Sequence, residues 1–226
     1  MKRFVIAIDG PAGAGKGTVS RLVAQRLGFL YVDTGAMYRA LTLKALRLKV
    51  PMDCPARLIE MARQTRIELI PDTGGCRVLL DGEDVSEEIR SEDVSRWSHA
   101  VSCIREVREV LWKLQREERE RHDLVMEGRD IGSVVFPDAD LKVYLDADVA
   151  ERARRRYLQL RQKGMPARLE DVRRELVERD RRDSERETAP LVRLPDAVYI
   201  DSTRMSIDEE VDLIVRLARE RMGSAV

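Results

Sequence analysis

The chain has 226 residues, with Lys+Arg 41 balancing Asp+Glu 41. That length suits one α/β domain carrying an insertion or two, or two small domains, and neutrality argues against bulk nucleic-acid or membrane binding. No apolar run approaches the ~18 residues needed to span a bilayer, and the three separated cysteines, Cys54, Cys76 and Cys103, lack metal spacing. We expect free thiols in a reducing cytoplasm, no secretory signal, and a monomer. The chain contains no asparagine and arginine far outnumbers lysine. Thermophily and high-GC codon bias both account for that composition.

Residues 3–9 read as a buried strand and 16–27 as a helix. Between them lies GPAGAGKGT, made of Gly10, Pro11, Ala12, Gly13, Ala14, Gly15, Lys16, Gly17 and Thr18. Strand, glycine-rich loop and helix start form a phosphate-binding loop: backbone N–H groups and the helix dipole face an anion. Lys16 reaches the terminal phosphates, and Thr18 is placed for a magnesium ion or a phosphate oxygen. Gly17 stands between Lys16 and Thr18, a GKGT spelling typical of small-molecule kinases. A plain glycine turn is the alternative.

A short strand follows at 29–32, then helices at 34–50 and 56–64. Residues 67–70 and 77–80 read as antiparallel strands around the turn Asp72-Thr73-Gly74-Gly75, with Asp81-Gly82 turning again. A charged helix spans 107–121, strands span 124–126 and 141–145, and arginine-rich helices span 149–163 and 169–186. A strand at 197–200 and a capping-box start at Ser206-Ile207-Asp208-Glu209 lead into a last helix ending near Met222. Strand-helix alternation implies a parallel sheet with ligands at the carboxyl ends of its strands.

Polar clusters follow those strands. Asp33-Thr34-Gly35-Ala36-Met37-Tyr38-Arg39 offers a hydroxyl and an arginine about one turn apart; an N-cap at Thr34 and a surface Arg39 would explain them equally well. Glu127-Gly128-Arg129-Asp130-Ile131-Gly132 puts a charged pair between glycines, for a close-approaching ligand or a turn salt bridge. Further on, Arg179, Asp183 and Arg186 fall on one helical face, which a solvated charge ladder would also produce. Transfer of a phosphoryl group between two anionic nucleotides accounts for all three clusters, because it needs positioned cations, directed N–H groups and exclusion of water.

The segments GPAGAGKGT, DTGAMYR, EGRDIGSVVFPDA, KVYLDA, ERARRR, ERDRRDSER and YIDST, in this order, resemble bacterial cytidylate kinases over nearly the whole chain. The resemblance implies a three-layer P-loop kinase fold with a parallel sheet, a small antiparallel β insert at about 66–90 and a helical lid at about 150–187. The core is then about 1–65, 90–149 and 188–226. It implies ATP and CMP or dCMP as substrates, with Mg2+, and neither nucleic acid nor membrane as a partner. Carried over by position, Gly10 to Thr18 cradle ATP, and Thr34 and Arg39 approach CMP. Arg108 and Asp130 read cytosine, Arg129, Arg179 and Arg186 bind phosphates, and Asp183 contacts the sugar. Lys16, Arg129, Arg179 and Arg186 are thereby the expected catalytic set. His99 stands where the family commonly has a serine at the base. Asp33 would orient a magnesium-bound water, and Arg152 and Arg156 would touch the ATP end. By helical pattern alone, Arg108 reads as an ordinary surface arginine. Kinases of UMP, shikimate or dephospho-coenzyme A are the nearest enzymatic alternatives. A GTP-dependent switch or regulatory ATP-binding protein is the non-enzymatic one; guanine switches use an Asn-Lys-x-Asp loop, which a chain without asparagine lacks.

Overall fold

A computed structural model describes residues 3–72, 75–162 and 164–223. In chain order it begins β1 (Val5–Asp9), α1 (Lys16–Leu27), β2 (Leu30–Asp33), α2 (Thr34–Arg47) and α3 (Pro55–Arg63). Three strands follow, β3 (Ile67–Asp72), β4 (Gly75–Leu80) and β5 (Glu83–Asp84), then α4 (Glu92–Ser102) and α5 (Arg105–Arg121). The remainder is β6 (Leu124–Gly128), β7 (Leu141–Asp146), α6 (Val149–Gln162), α7 (Leu169–Glu185), β8 (Val198–Asp201) and α8 (Ile207–Gly223). The chain divides into two compact units, one holding residues 29–124 and the other holding 4–28 together with the chain from 125 onward.

The second unit carries the parallel sheet, with β6, β1, β7 and β8 side by side. Strand β1, VIAID, is buried along its whole length. It runs parallel to β7 with Ile6 opposite Leu141 and Asp9 opposite Tyr144. A strand buried on both faces reads as a continuous apolar run, which is why residues 3–9 were legible without alternation. Because β1, β7 and β8 are parallel, their carboxyl ends lie at one edge, where Asp9, Asp146 and Asp201 end them. Helices α6 and α7 share a small apolar cluster of Ala12, Ala153, Val172 and Leu176, so the phosphate-loop residue Ala12 packs against both helices' apolar faces.

In the first unit, β3, β4 and β5 form the antiparallel sheet, with Ile67 opposite Leu80 and Leu69 opposite Val78. The expected turn residues Thr73 and Gly74 lie outside the described residues, as does Lys163 at the expected end of the 149–163 helix. Met37 and Leu41 of α2 bury against Leu58, Val78, Ile89, Val101 and Leu111, and each such side chain contributes roughly 1.5–3 kcal/mol. The 34–50 helix stops early, at Arg47. Lys49 turns left-handed at φ 52, while its N–H reaches Leu46 O (3.1 Å) and the Val50 N–H reaches Ala45 O (2.8 Å). This is the Schellman closure, made here on lysine instead of the usual glycine.

Two local structures were not anticipated. Helix α4 precedes the charged helix, which itself begins two residues early, at Arg105. A π turn, Ile131–Val135, follows the Arg129-Asp130 pair.

Candidate active site

In the second unit, β1 delivers the chain straight into the phosphate loop. Gly10 sits at φ 152, and a Cβ there would stand 2.0 Å from the Leu145 carbonyl oxygen, so no other residue fits. Gly15, left-handed at φ 91, is the N-cap of α1. The first turn of α1 carries no acidic side chain, which leaves the dipole's positive end open to an anion. Lys16 is buried and folds back on its own loop, donating from Nζ to Gly10 O and Pro11 O, each at 2.8 Å. Burial and the neighbouring Arg129 guanidinium both push its ammonium pKa down. An anionic phosphate would reverse that pressure. Thr18, two residues further on, is exposed.

Arg129 donates from Nε to Asp183 Oδ2 at 2.8 Å. Burial alone would raise the Asp183 pKa, but the charges of Arg129, Arg179 and Arg186 outweigh it and hold the carboxylate below its usual range. Those three arginines therefore bear on one point. Arg186 does not continue the α7 face as its spacing suggested. It is the C-cap, extended at φ −61 and ψ 140, and the chain turns there so that Arg186 Nε donates to Ala189 O at 2.7 Å. Its guanidinium also lies 3.8 Å from Asp130 Oδ1, and Asp130 is buried. Asp130 caps the π turn, its carbonyl accepting from Val134 N–H (2.9 Å) and Val135 N–H (3.2 Å).

Further contacts reach the loop's surroundings. Asp9 accepts the N–H groups of Ile131 (2.9 Å) and Gly132 (2.8 Å). Arg152, expected at the ATP end, is buried beneath the loop: it donates to Ala147 O (2.9 Å) and Ala12 O (3.0 Å) and pairs with Asp180. Asp180 in turn accepts the Ala12 N–H at 3.2 Å. Arg156 instead bonds Gln159 at 2.7 Å on an exposed surface.

In the first unit, the β2–α2 junction holds Asp33, Thr34 and Arg39. The N-cap is Asp33, not Thr34: its Oδ1 accepts the Ala36 N–H at 3.1 Å, and its Oδ2 accepts from Arg39 at 2.7 Å. Burial raises the Asp33 pKa, but the Arg39 charge and hydrogen bonds lower it further, so it stays ionised. Thr34, the first residue of α2, is buried. Each Asp33 oxygen thus has one of these bonds and a second lone pair.

Arg108 departs furthest from its surface reading. It is 1% exposed, with its guanidinium carbon 5.1 Å from the Tyr38 ring centre and 5.6 Å from the Trp112 ring centre. It also donates to Ser102 O at 3.0 Å. Ser102 ends α4, the helix that carries His99, so Arg108 is bonded to the end of that helix. The thiol of Cys103, which follows α4, lies 3.3–3.4 Å from both His99 ring nitrogens. Among the described residues, no group of three or more His, Cys, Asp or Glu side chains forms a metal cluster. A hard cation would therefore take most of its ligands from phosphates and water, with Thr18 as the available hydroxyl.

The sequence family described as cytidylate kinase matches residues 6–220. A cytidylate kinase of Symbiobacterium thermophilum is 51% identical over 220 residues, covering 96% of this chain and 97% of the relative. One from Caldanaerobacter subterraneus subsp. tengcongensis is 50% identical over 215 residues, covering 95% and 94%. Among solved structures, an uncharacterized protein from Eubacterium ventriosum shares the fold at TM-score 0.53 and 12% identity, covering 97% of this chain and 99% of its own. With a phosphate loop on the expected strand–helix turn and matches spanning nearly the full length, this chain belongs to the cytidylate kinase family.

Proposed function

We propose that the enzyme moves the γ-phosphoryl group of ATP in line onto the phosphate of CMP or dCMP, releasing ADP and CDP or dCDP. The observation that carries this reading is the grouping, within one compact unit, of the phosphate loop, Lys16, three arginines converging on Asp183, and the buried carboxylate Asp130. An acceptor phosphate oxygen attacks the γ-phosphorus, the bond to the β–γ bridging oxygen breaks, and ADP leaves with that electron pair. No general base is needed, because the acceptor phosphate is already anionic at neutral pH. The protein's part is positioning and charge stabilisation.

The loop N–H groups and Lys16 hold the donor phosphates. Arg129, Arg179 and Arg186 hold transferring and acceptor phosphates, and Asp183 contacts the sugar. Thr34 and Arg39 hold the acceptor, with Asp33 orienting Arg39. Magnesium, held by Thr18 with Asp33 reaching it through water, would neutralise charge on the transferring phosphate. Cytosine presents an N4 amino donor beside N3 and O2 acceptors. Asp130 accepts from N4, and Arg108 donates to N3 or O2, with His99 beside the base. Uracil would set its O4 acceptor against the Asp130 carboxylate, an unpaired arrangement that selects against UMP.

Residues 66–90 form the acceptor-side insert and 150–187 the lid. The lid reading is supported by the contacts of Arg152 and Asp180 with Ala12, which link α6 and α7 directly to the phosphate loop. The test is an ADP-release assay over CMP, dCMP, UMP, AMP and dTMP. CMP and dCMP are expected to be the fast acceptors, and turnover of AMP or dTMP at the CMP rate would overturn the assignment.

A further inference from the structure

Asp9 belongs to none of the roles above, yet it is a buried carboxylate one residue before the phosphate loop. Its two oxygens take the N–H groups of Ile131 and Gly132 at 2.9 and 2.8 Å, across more than 120 residues of sequence. Those are the leading N–H groups of the π turn Ile131–Val135, which a helical turn leaves without internal partners. The far end of the same turn closes back on Asp130, whose carbonyl accepts the Val134 and Val135 N–H groups. So Asp9 holds the turn's donors, and Asp130 is the residue from which the turn starts.

We infer that Asp9 is a positioning residue: its carboxylate clamps the π turn so that the Asp130 side chain is presented to the base edge of the acceptor nucleotide. This inference rests on the reading of Asp130 as the cytosine reader. It makes acceptor selectivity depend on a side chain anchored at the donor loop.

The surroundings support a clamp that was built in. A Cβ on Gly132 would stand 3.3 Å from the Lys142 side chain and 3.4 Å from Asp9 Oδ2, so a side chain there would crowd the anchor by a few tenths of an ångström. The charged groups around the carboxylate are Asp130, which opposes its ionisation, Lys16, which favours it, and Lys142 beside Gly132. Burial is the largest influence and raises the Asp9 pKa to about 6. Ionised, the carboxylate has two good acceptor oxygens; a proton on one of them converts it to a poor acceptor and loosens one bond to the turn.

The experiment compares the full-length wild type with Asp9→Asn. Asparagine keeps the shape but sets an NH2 group against one of the two turn N–H donors. The expected result is a tenfold or greater rise in KM for CMP and a matching fall in the CMP-to-UMP ratio of kcat/KM, with KM for ATP within about threefold. Wild-type selectivity should also fall as pH drops below about 6 and stay flat in Asp9→Asn. Gly132→Ala is the second variant, with the same pattern at smaller size. A substrate-free readout separates the clamp from the base reading. The Ile131 and Gly132 amide resonances should titrate near pH 6 in wild type and not in Asp9→Asn. Amides that do not titrate, or a loss shared equally by ATP and CMP with an unchanged CMP-to-UMP ratio, would overturn the clamp. A wild type that turns over UMP as well as CMP while those amides titrate would instead defeat the role of Asp130.

Discussion

Arg129 and Arg108 are both proposed to hold the acceptor nucleotide, the first half-buried and the second buried, and they make different kinds of contact. Arg129, in the unit with the phosphate loop, is hydrogen-bonded to Asp183 at 2.8 Å. Arg108, in the other unit, lies over the faces of Tyr38 and Trp112 and donates to a backbone carbonyl. A carboxylate fixes a guanidinium firmly and offsets its charge, whereas aromatic faces orient its plane. On the proposed roles, the arginine that would stabilise a moving phosphoryl charge is fixed by a carboxylate, and the one that would read a neutral base edge has its plane set by aromatic rings.

The largest expected effect tests the charged side of that contrast. Lys16→Ala should lower kcat by about 10²–10⁴ on every acceptor alike, with the fold retained. A change of only tenfold in single-turnover rate would contradict the placing of Lys16 at the transferred phosphate. Arg108→Lys tests the aromatic side: it keeps the charge but discards the planar face and the fork of donors. KM for CMP should rise about tenfold with a smaller change in kcat, and initial-rate kinetics would show it. An unaltered KM would reduce Arg108 to a packing role.

The smallest effect concerns a buried charge with neither kind of support. Glu210 of α8 is buried, and its Oε2 finds no hydrogen-bond partner among the described residues. Burial raises its pKa to about 7, against a weaker opposing pull from Arg155. The native state thus binds this proton more tightly than the unfolded chain, and stability falls as pH rises from about 4.5 through about 7. Glu210→Gln should therefore stabilise by about 1–3 kcal/mol at pH 8 and by almost nothing near pH 4. Denaturant melts at the two pH values would show the difference, and equal gains at both would contradict it.

The contrast between the arginines also marks what the chain discloses before folding. The phosphate loop was legible because its chemistry is contiguous: strand, glycines, lysine and helix start follow one another. The antiparallel hairpin was legible through its turn residues and apolar alternation. The burial of Arg108 was not, since α5 is strongly polar along its length and Tyr38, on which Arg108 rests, lies seventy residues away in α2. Helix α4 did leave a signal: Ser91 as N-cap, Glu92 and Asp93 in its first turn, and Val94 and Val101 buried seven residues apart. The contacts of Asp9 and Asp180 left none, because each joins a side chain to a distant backbone N–H that no residue pattern records.

The most direct test of the central claim, selection of cytosine by a buried carboxylate, is the kinetics of Asp130→Ala with CMP and UMP side by side. The account predicts a loss of kcat/KM for CMP of a hundredfold or more, with UMP changing several-fold at most, so that the two acceptors converge. Equal losses on both would contradict it, and would make Asp130 a support of the turn instead of the reader of the base.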